Sequence, residues 1–236
     1  MFPSARAPRV TACAEAILRR LDFAANSYLR ALADGSLSLE GFRRTQEQFY
    51  FAVVYFPRPM AVLLSRLPDP ETRMDILHNL VEEHGDFQAE QSHPNTFRCF
   101  LHSIGANADA VTTIPVWPAV RAFNAALHGV CAFAEPEVGA CCLGEIELAF
   151  AGVSAAIGQT VAKRGWVRRE DLVHYQLHAE IDTRHAEEFF AVAEPAWDNA
   201  HQRLLVEQGL ELGAHLFDRL YRELYVEAVH RATMKT

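Results

Sequence analysis

The tract HYQLHAEIDTRHAEEFF carries His178, Asp182 and His185 at positions i, i+4 and i+7. At 100° per residue these side chains fall within about 60° of arc on one face of a helix. Two imidazoles and a carboxylate suit zinc, iron or manganese and leave coordination positions open for water, oxygen or substrate. The plain alternative is a solvated charged face, since Glu180, Glu187 and Glu188 stand in the same region.

Two further tracts weigh against that alternative. CCLGEIELAFAGVSAAIG places Glu145 and Glu147 in an otherwise apolar helix, where at least one would have difficulty escaping the core. A buried carboxylate needs a proton, a cation or a metal; an arginine such as Arg121 or Arg184 is the non-metal answer. NLVEEHGDFQAEQSHP adds Glu82, Glu83, His84, Asp86, Glu90 and His93 around an expected helix end. Glu90 with His93 and Asp182 with His185 form E-x-x-H and D-x-x-H half-sites of the kind used by carboxylate-bridged di-iron bundles.

Helices must position these groups. Apolar residues recur at helical spacing and alternating β-branched runs are nearly absent, so the class is all-α. The spacing predicts a first helix over 8–33 stopped by Gly35, and a second from Ser38 that Pro57 and Pro59 kink or end. Asp69-Pro70 opens a third that stops at Gly85, and His93-Pro94 a fourth reaching Gly105. Four more are expected at about 117–133, 137–163, 168–193 and 196–231. No repeat or linker divides the chain, so residues 1–236 read as one helical domain of about seven or eight helices.

Composition excludes several classes. The 236 residues carry a formal charge of −8 with no basic stripe, which argues against nucleic-acid and anionic-membrane partners. The opening MFPSARAPRV leads into charged residues rather than a signal-type apolar run, so a cytoplasmic location is expected. Five cysteines without a C-x-x-C pair read as reduced thiols, with Cys141 or Cys142 as a nucleophile the rarer alternative. The weakly charged stretch from Gly129 to Val161 contains four glutamates and reads as a buried helix rather than a membrane span.

The succession NLVEEHG, HP with FRCFLHSIG behind it, LGEIE, and HYQLHAEIDTRHAEEF resembles the heme-oxygenase-like dimetal oxidases and oxygenases. These are iron-dependent relatives of the TenA and PqqC proteins and include the CADD-type enzymes. The likeness covers about residues 40–190. It implies a TenA/PqqC-like bundle and a ligand set of Glu83, His93, Glu147, His178, Asp182 and His185. Glu82, Asp86 or Glu90 stand as alternatives to Glu83, and Glu145 to Glu147. The resemblance further implies two Fe(II) per chain, with the second site labile, dioxygen as co-substrate, and a small amine, amino-acid-like or acid substrate. It leaves the electron donor external to the chain.

Neighbouring activities fit less well. A heme-degrading oxygenase needs a proximal histidine on its first helix, and no histidine precedes His78. A metal-free TenA- or PqqC-like enzyme has no use for the full ligand set, and a non-catalytic binding or metal-storage bundle is the third class. Phe49, Tyr50, Phe51, Tyr55 and Phe56 line either a pocket or the core; Gln46 and Gln48 are either substrate contacts or solvated surface; Tyr175 is either a redox partner or a packed tyrosine. The leucine stripe Leu204, Leu205, Leu212, Leu216, Leu220 and Leu224 supplies a homodimer face or packs within the chain.

Overall fold

Proline and capping side chains set most helix starts. A computed structural model describes residues 6–233; the domain span and the N-terminal tract read for a targeting signal therefore lie partly outside the described residues. Ten α-helices and no strand occur among them. Helix α1 spans Pro8–Leu21 and α2 Ser27–Asp34, where one helix is expected. The break comes from Asn26, whose side chain accepts from the Tyr28 amide at 2.9 Å and donates to Asp218 at 2.8 Å. Capping the second helix while anchoring to a distant one outweighs a continuous backbone ladder.

Helix α3, Leu39–Val53, ends before Pro57 and α4, Pro57–Arg66, begins there, so the prolines end the expected helix rather than kink it. Asp69 caps α5, Pro70–Glu83, by accepting from the Thr72 amide at 3.0 Å; such a cap is worth about 1 kcal/mol. Helix α6 is His93–Ser103 and α7 Pro118–Phe133. The last three are α8, Pro136–Lys163; α9, Val173–Ala193; and α10, Ala200–Thr233. The latter two begin later than expected because short 3-10 turns at Arg169–Asp171 and Glu194–Asp198 precede them.

Helix α8 is the axis of the fold, packed most extensively on α9 and α10. By length and composition it could cross a membrane, yet most of its apolar window is buried inside the protein. Phe49, Phe97, Phe100, Phe150, Phe217 and Tyr221 are among the aromatic residues of the core, each fully buried ring contributing about 1.5–3 kcal/mol. On α10 the buried stripe is Val206, Leu210, Ala214, Phe217, Leu220, Tyr221 and Leu224, whereas Leu204 is exposed.

Gln46 and Gln48 are buried, not solvated. Gln46 donates to the Tyr28 hydroxyl at 2.8 Å and accepts from the Tyr175 hydroxyl, so Tyr175 is held in the core. Gln48 donates to the Pro115 carbonyl at 3.1 Å and accepts from the Trp117 amide at 2.7 Å. Neither carboxamide is free for a substrate.

Candidate metal centre

Four helices bring the six predicted side chains to one buried place. The last turn of α5 supplies Glu83, the first residue of α6 His93, the middle of α8 Glu147, and α9 His178, Asp182 and His185; all six are buried. Between α5 and α6 the chain must turn sharply. Gly85 makes the turn at φ +69°, where a Cβ would lie 2.4 Å from the Ser92 amide nitrogen; only glycine fits.

The alternatives to Glu83 are oriented differently. Asp86 and Glu90 are exposed beyond the turn. Glu82 lies to one side, its oxygens 2.7 and 2.9 Å from Arg184. Glu83 turns inward, its Oε1 2.9 Å from His93 Nδ1 as an ion-pair contact rather than an aligned hydrogen bond. Ligand atoms of Glu83, Glu147 and His185 lie within 4.8 Å of one another, close to the largest separation, about 4.4 Å, that two 2.2 Å bonds to one ion allow.

On α9 the i, i+4 spacing brings His178 Nδ1 within hydrogen-bond distance of Asp182 Oδ1, at 2.8 Å. Asp182 Oδ1 also lies 3.9 Å from His185 Nδ1. Five buried atoms of this cluster, His93 Nδ1, Glu147 Oε1, His178 Nε2, Asp182 Oδ2 and His185 Nδ1, have no hydrogen-bond partner among the described residues. Each such orphan costs about 1–3 kcal/mol when nothing satisfies it. Imidazole nitrogens suit borderline divalent ions and carboxylate oxygens harder ones, and iron takes both, so the set fits iron.

Electrostatics point the same way. Burial, then the charges of Asp182 and Glu83, pushes the Glu147 carboxyl well above the ordinary carboxylate range. Burial does the same to Asp182. Burial, then His93, pushes His178 down to about 3, and burial lowers His185. Glu83 and His93 differ: burial opposes the charge on each, but their mutual contact outweighs it, lowering the carboxyl and raising the imidazole. Without a cation, then, one ion pair is retained while burial favours the neutral forms of Glu147, Asp182, His178 and His185. A cation placed among them would displace the carboxyl protons.

Two residues of this region, His174 and Asn79, were missed in the sequence. His174, one turn before His178, is fully buried with its ring centroid 4.3 Å from that of His178. Its Nδ1 lies 3.0 Å from Thr96 Oγ1, and its Nε2 has no partner among the described residues. Asn79, one turn before Glu83, is buried with both side-chain atoms unpartnered among the described residues. The i−4 repeat on each helix was the available signal.

A narrow chamber adjoins the cluster. Glu83, His93, Glu147 and His178 form its polar end, and Phe49, Phe56, Phe123, Phe150 and Phe217 are among its walls. Of the aromatic residues expected at a pocket or in the core, Phe49 and Phe56 reach this chamber, Tyr50 is core, and Phe51 and Tyr55 line a separate surface hollow. Cys141 and Cys142 do not line the chamber; both are fully buried, and burial raises both thiols well above their ordinary value.

Known proteins resemble the chain at two levels. Residues 43–228 match the sequence profile of a family described as iron-containing redox enzyme. A 4-aminobenzoate synthase of Chlamydia muridarum is 23% identical over 181 residues, 76% of this chain and 75% of that protein. One from Nitrosomonas europaea is 23% identical over 184 residues, 73% of each chain. Among solved structures, a Shewanella denitrificans domain of unknown function with a heme oxygenase-like fold superposes with TM-score 0.70 at 17% identity, covering 93% of this chain and 90% of that one. A TenA homolog from Pseudomonas syringae also superposes with TM-score 0.70, at 15% identity, covering 94% and 93%. The fold is thus heme oxygenase-like.

Proposed function

The chain belongs to the iron-containing redox enzyme family, and from that premise we propose that it is a non-heme, dioxygen-dependent di-iron oxidase or oxygenase acting on a small organic molecule. One observation carries this reading: buried ligand-type side chains from α5, α6, α8 and α9 converge, and those of α6, α8 and α9 hold atoms with no hydrogen-bond partner among the described residues. Glu83, His93, Glu147, His178, Asp182 and His185 would hold two ferrous ions. Bound iron would supply the oxygen-dependent redox chemistry.

The chain's own residues do the remaining work. Three carboxylates offset most of the charge of two divalent cations, and three imidazoles add neutral donors. The phenyl walls keep water from the chamber and leave it without a charged side chain apart from the cluster. Substrate orientation then falls to the shape of those walls and to the cluster itself. The activity named for the relatives makes 4-aminobenzoate the first product to look for. Any electrons beyond those of ferrous iron come from a donor outside the chain.

Anaerobic ferrous titration of the metal-free protein, followed by rapid mixing with oxygen, tests the reading. About two irons per chain and an oxygen-dependent visible absorption that Asp182→Ala abolishes are expected. Absence of iron uptake, with the variant indistinguishable, would overturn it in favour of a metal-free TenA-like enzyme. Iron uptake without oxygen consumption would instead indicate a metal-binding bundle.

A further inference from the structure

Adjacent glutamates at the end of α5 approach His185 from different sides. Glu83 is in the triad with Glu147 and the imidazole of His185. Glu82, about 100° further round the helix, places Oε2 2.9 Å from His185 Nε2. The other ring nitrogen, Nδ1, is buried, has no hydrogen-bond partner among the described residues, and lies 3.9 Å from Asp182 Oδ1.

Glu82 is itself held. Arg184 donates to both of its oxygens, at 2.7 and 2.9 Å, and to Glu188 Oε1 at 3.1 Å. His78, largely exposed, stands 3.5 Å from Glu82 and 3.7 Å from Glu188 at the protein surface. A carboxylate held at both oxygens by one arginine nitrogen, Arg184 Nη2, can only accept a hydrogen bond. The imidazole nitrogen facing it must therefore carry the ring proton, which leaves the lone pair on the opposite nitrogen.

We infer that Glu82 is a positioning residue that locks His185 in the Nε2–H tautomer, so that Nδ1 is the atom presented to a metal ion. The inference rests on the metal-centre reading proposed above. It assigns different tasks to neighbouring carboxylates: Glu83 belongs with the ligands, whereas Glu82, steadied by Arg184, orients a ligand from behind. Outer partners of this kind change metal affinity by roughly 10–100-fold when removed.

Two measurements on the full chain test it. The first is the imidazole 15N spectrum of metal-free wild type and Glu82→Ala, assigned with His185→Gln. A predominantly Nε2–H ring at His185 in wild type, losing that preference in Glu82→Ala, is expected; an Nδ1–H ring in wild type, or an unchanged tautomer in the variant, overturns the inference. The second is Co(II) titration by calorimetry and visible absorption. Glu82→Ala should weaken one Co(II) equivalent roughly 10–100-fold and alter its ligand-field bands. Glu82→Gln, whose amide oxygen still accepts from Nε2, should recover most of the affinity and serves if the alanine variant fails to fold. Equal affinities and spectra in wild type and both variants also overturn the inference. Should wild type bind no metal at all, the metal-centre reading fails, while the 15N result still decides the tautomer.

Discussion

Helix α8 buries two glutamates only two residues apart, and they meet opposite surroundings. Glu147 faces α5 and α9, with carboxylate or imidazole atoms of Glu83 and His185 within 4.8 Å. Glu145 faces α10, where its Cβ is among the nearest neighbours of Gly213, and neither of its oxygens has a hydrogen-bond partner among the described residues. Burial alone pushes Glu145 up to about 9, while Glu147 is raised by burial together with other carboxylates. Depth therefore does not mark a ligand; convergence does. A lone buried carboxyl can be tolerated by keeping its proton, whereas several together make a site that a divalent cation would complete.

The largest expected effect separates the two faces directly. Glu147→Ala should cost more than about 100-fold in ferrous or Co(II) affinity, exceeding the range for outer residues, and should abolish oxygen-dependent absorption. Glu145→Ala should leave about two metal equivalents bound. Metal loss in both variants to the same degree would break the distinction.

A second effect concerns protons. Glu145 ordinarily titrates at 4.5 and in the fold at about 9. Between those values the folded state binds more protons than the unfolded state, so stability falls as pH rises. The contribution is fully present below 4.5 and lost above about 9. Its slope is up to about 1.4 kcal/mol per pH unit for one proton. Glu145→Gln removes this group, so urea unfolding of the metal-free proteins should show the variant gaining on wild type as pH rises. Parallel stability curves would mean that Glu145 is not held protonated.

How much of this was legible in the sequence follows from the range of the forces involved. His178, Asp182 and His185 lie on one helix, and their common face follows from helical period alone. Choosing Glu83 over Glu82 depends on how the end of α5 is rotated, which packing against α9 decides. Asp86 and Glu90 fall outside because Gly85 reverses the chain. The break at Asn26 escaped because its cause lies 192 residues away at Asp218. His174 escaped for the same reason, since the groups that enclose it, Thr96, Phe97 and Phe150, come from other helices. The all-α class was readable because periodicity is local; the polar links of Gln46 and Gln48 were not, because their partners are distant.

The smallest effects concern how closely α10 seals the Glu145 face. A Cβ at Gly213 would sit 2.4 Å from the Cys142 carbonyl oxygen and 3.0 Å from the Glu145 Cβ. A carbonyl in a helix cannot yield as a side-chain end can, so Gly213→Ala should push α10 away from α8 and cost about 1–3 kcal/mol. Gly152, on α8, is the counterpart: a Cβ there meets nothing within 4 Å, because the residue lines an open groove against α2. Gly152→Ala should therefore stabilise the protein by about 0.5–1 kcal/mol through reduced backbone freedom in the unfolded chain. Metal uptake by Gly152→Ala should equal that of wild type, since the groove lies apart from the cluster. Chemical denaturation of the two alanine variants gives opposite signs if the Glu145 face is sealed by helix contact. Destabilisation of similar size in both would show instead that an added methyl is costly whether or not it meets a neighbour, and the Gly213 result would then say nothing specific about the wall that keeps Glu145 dry.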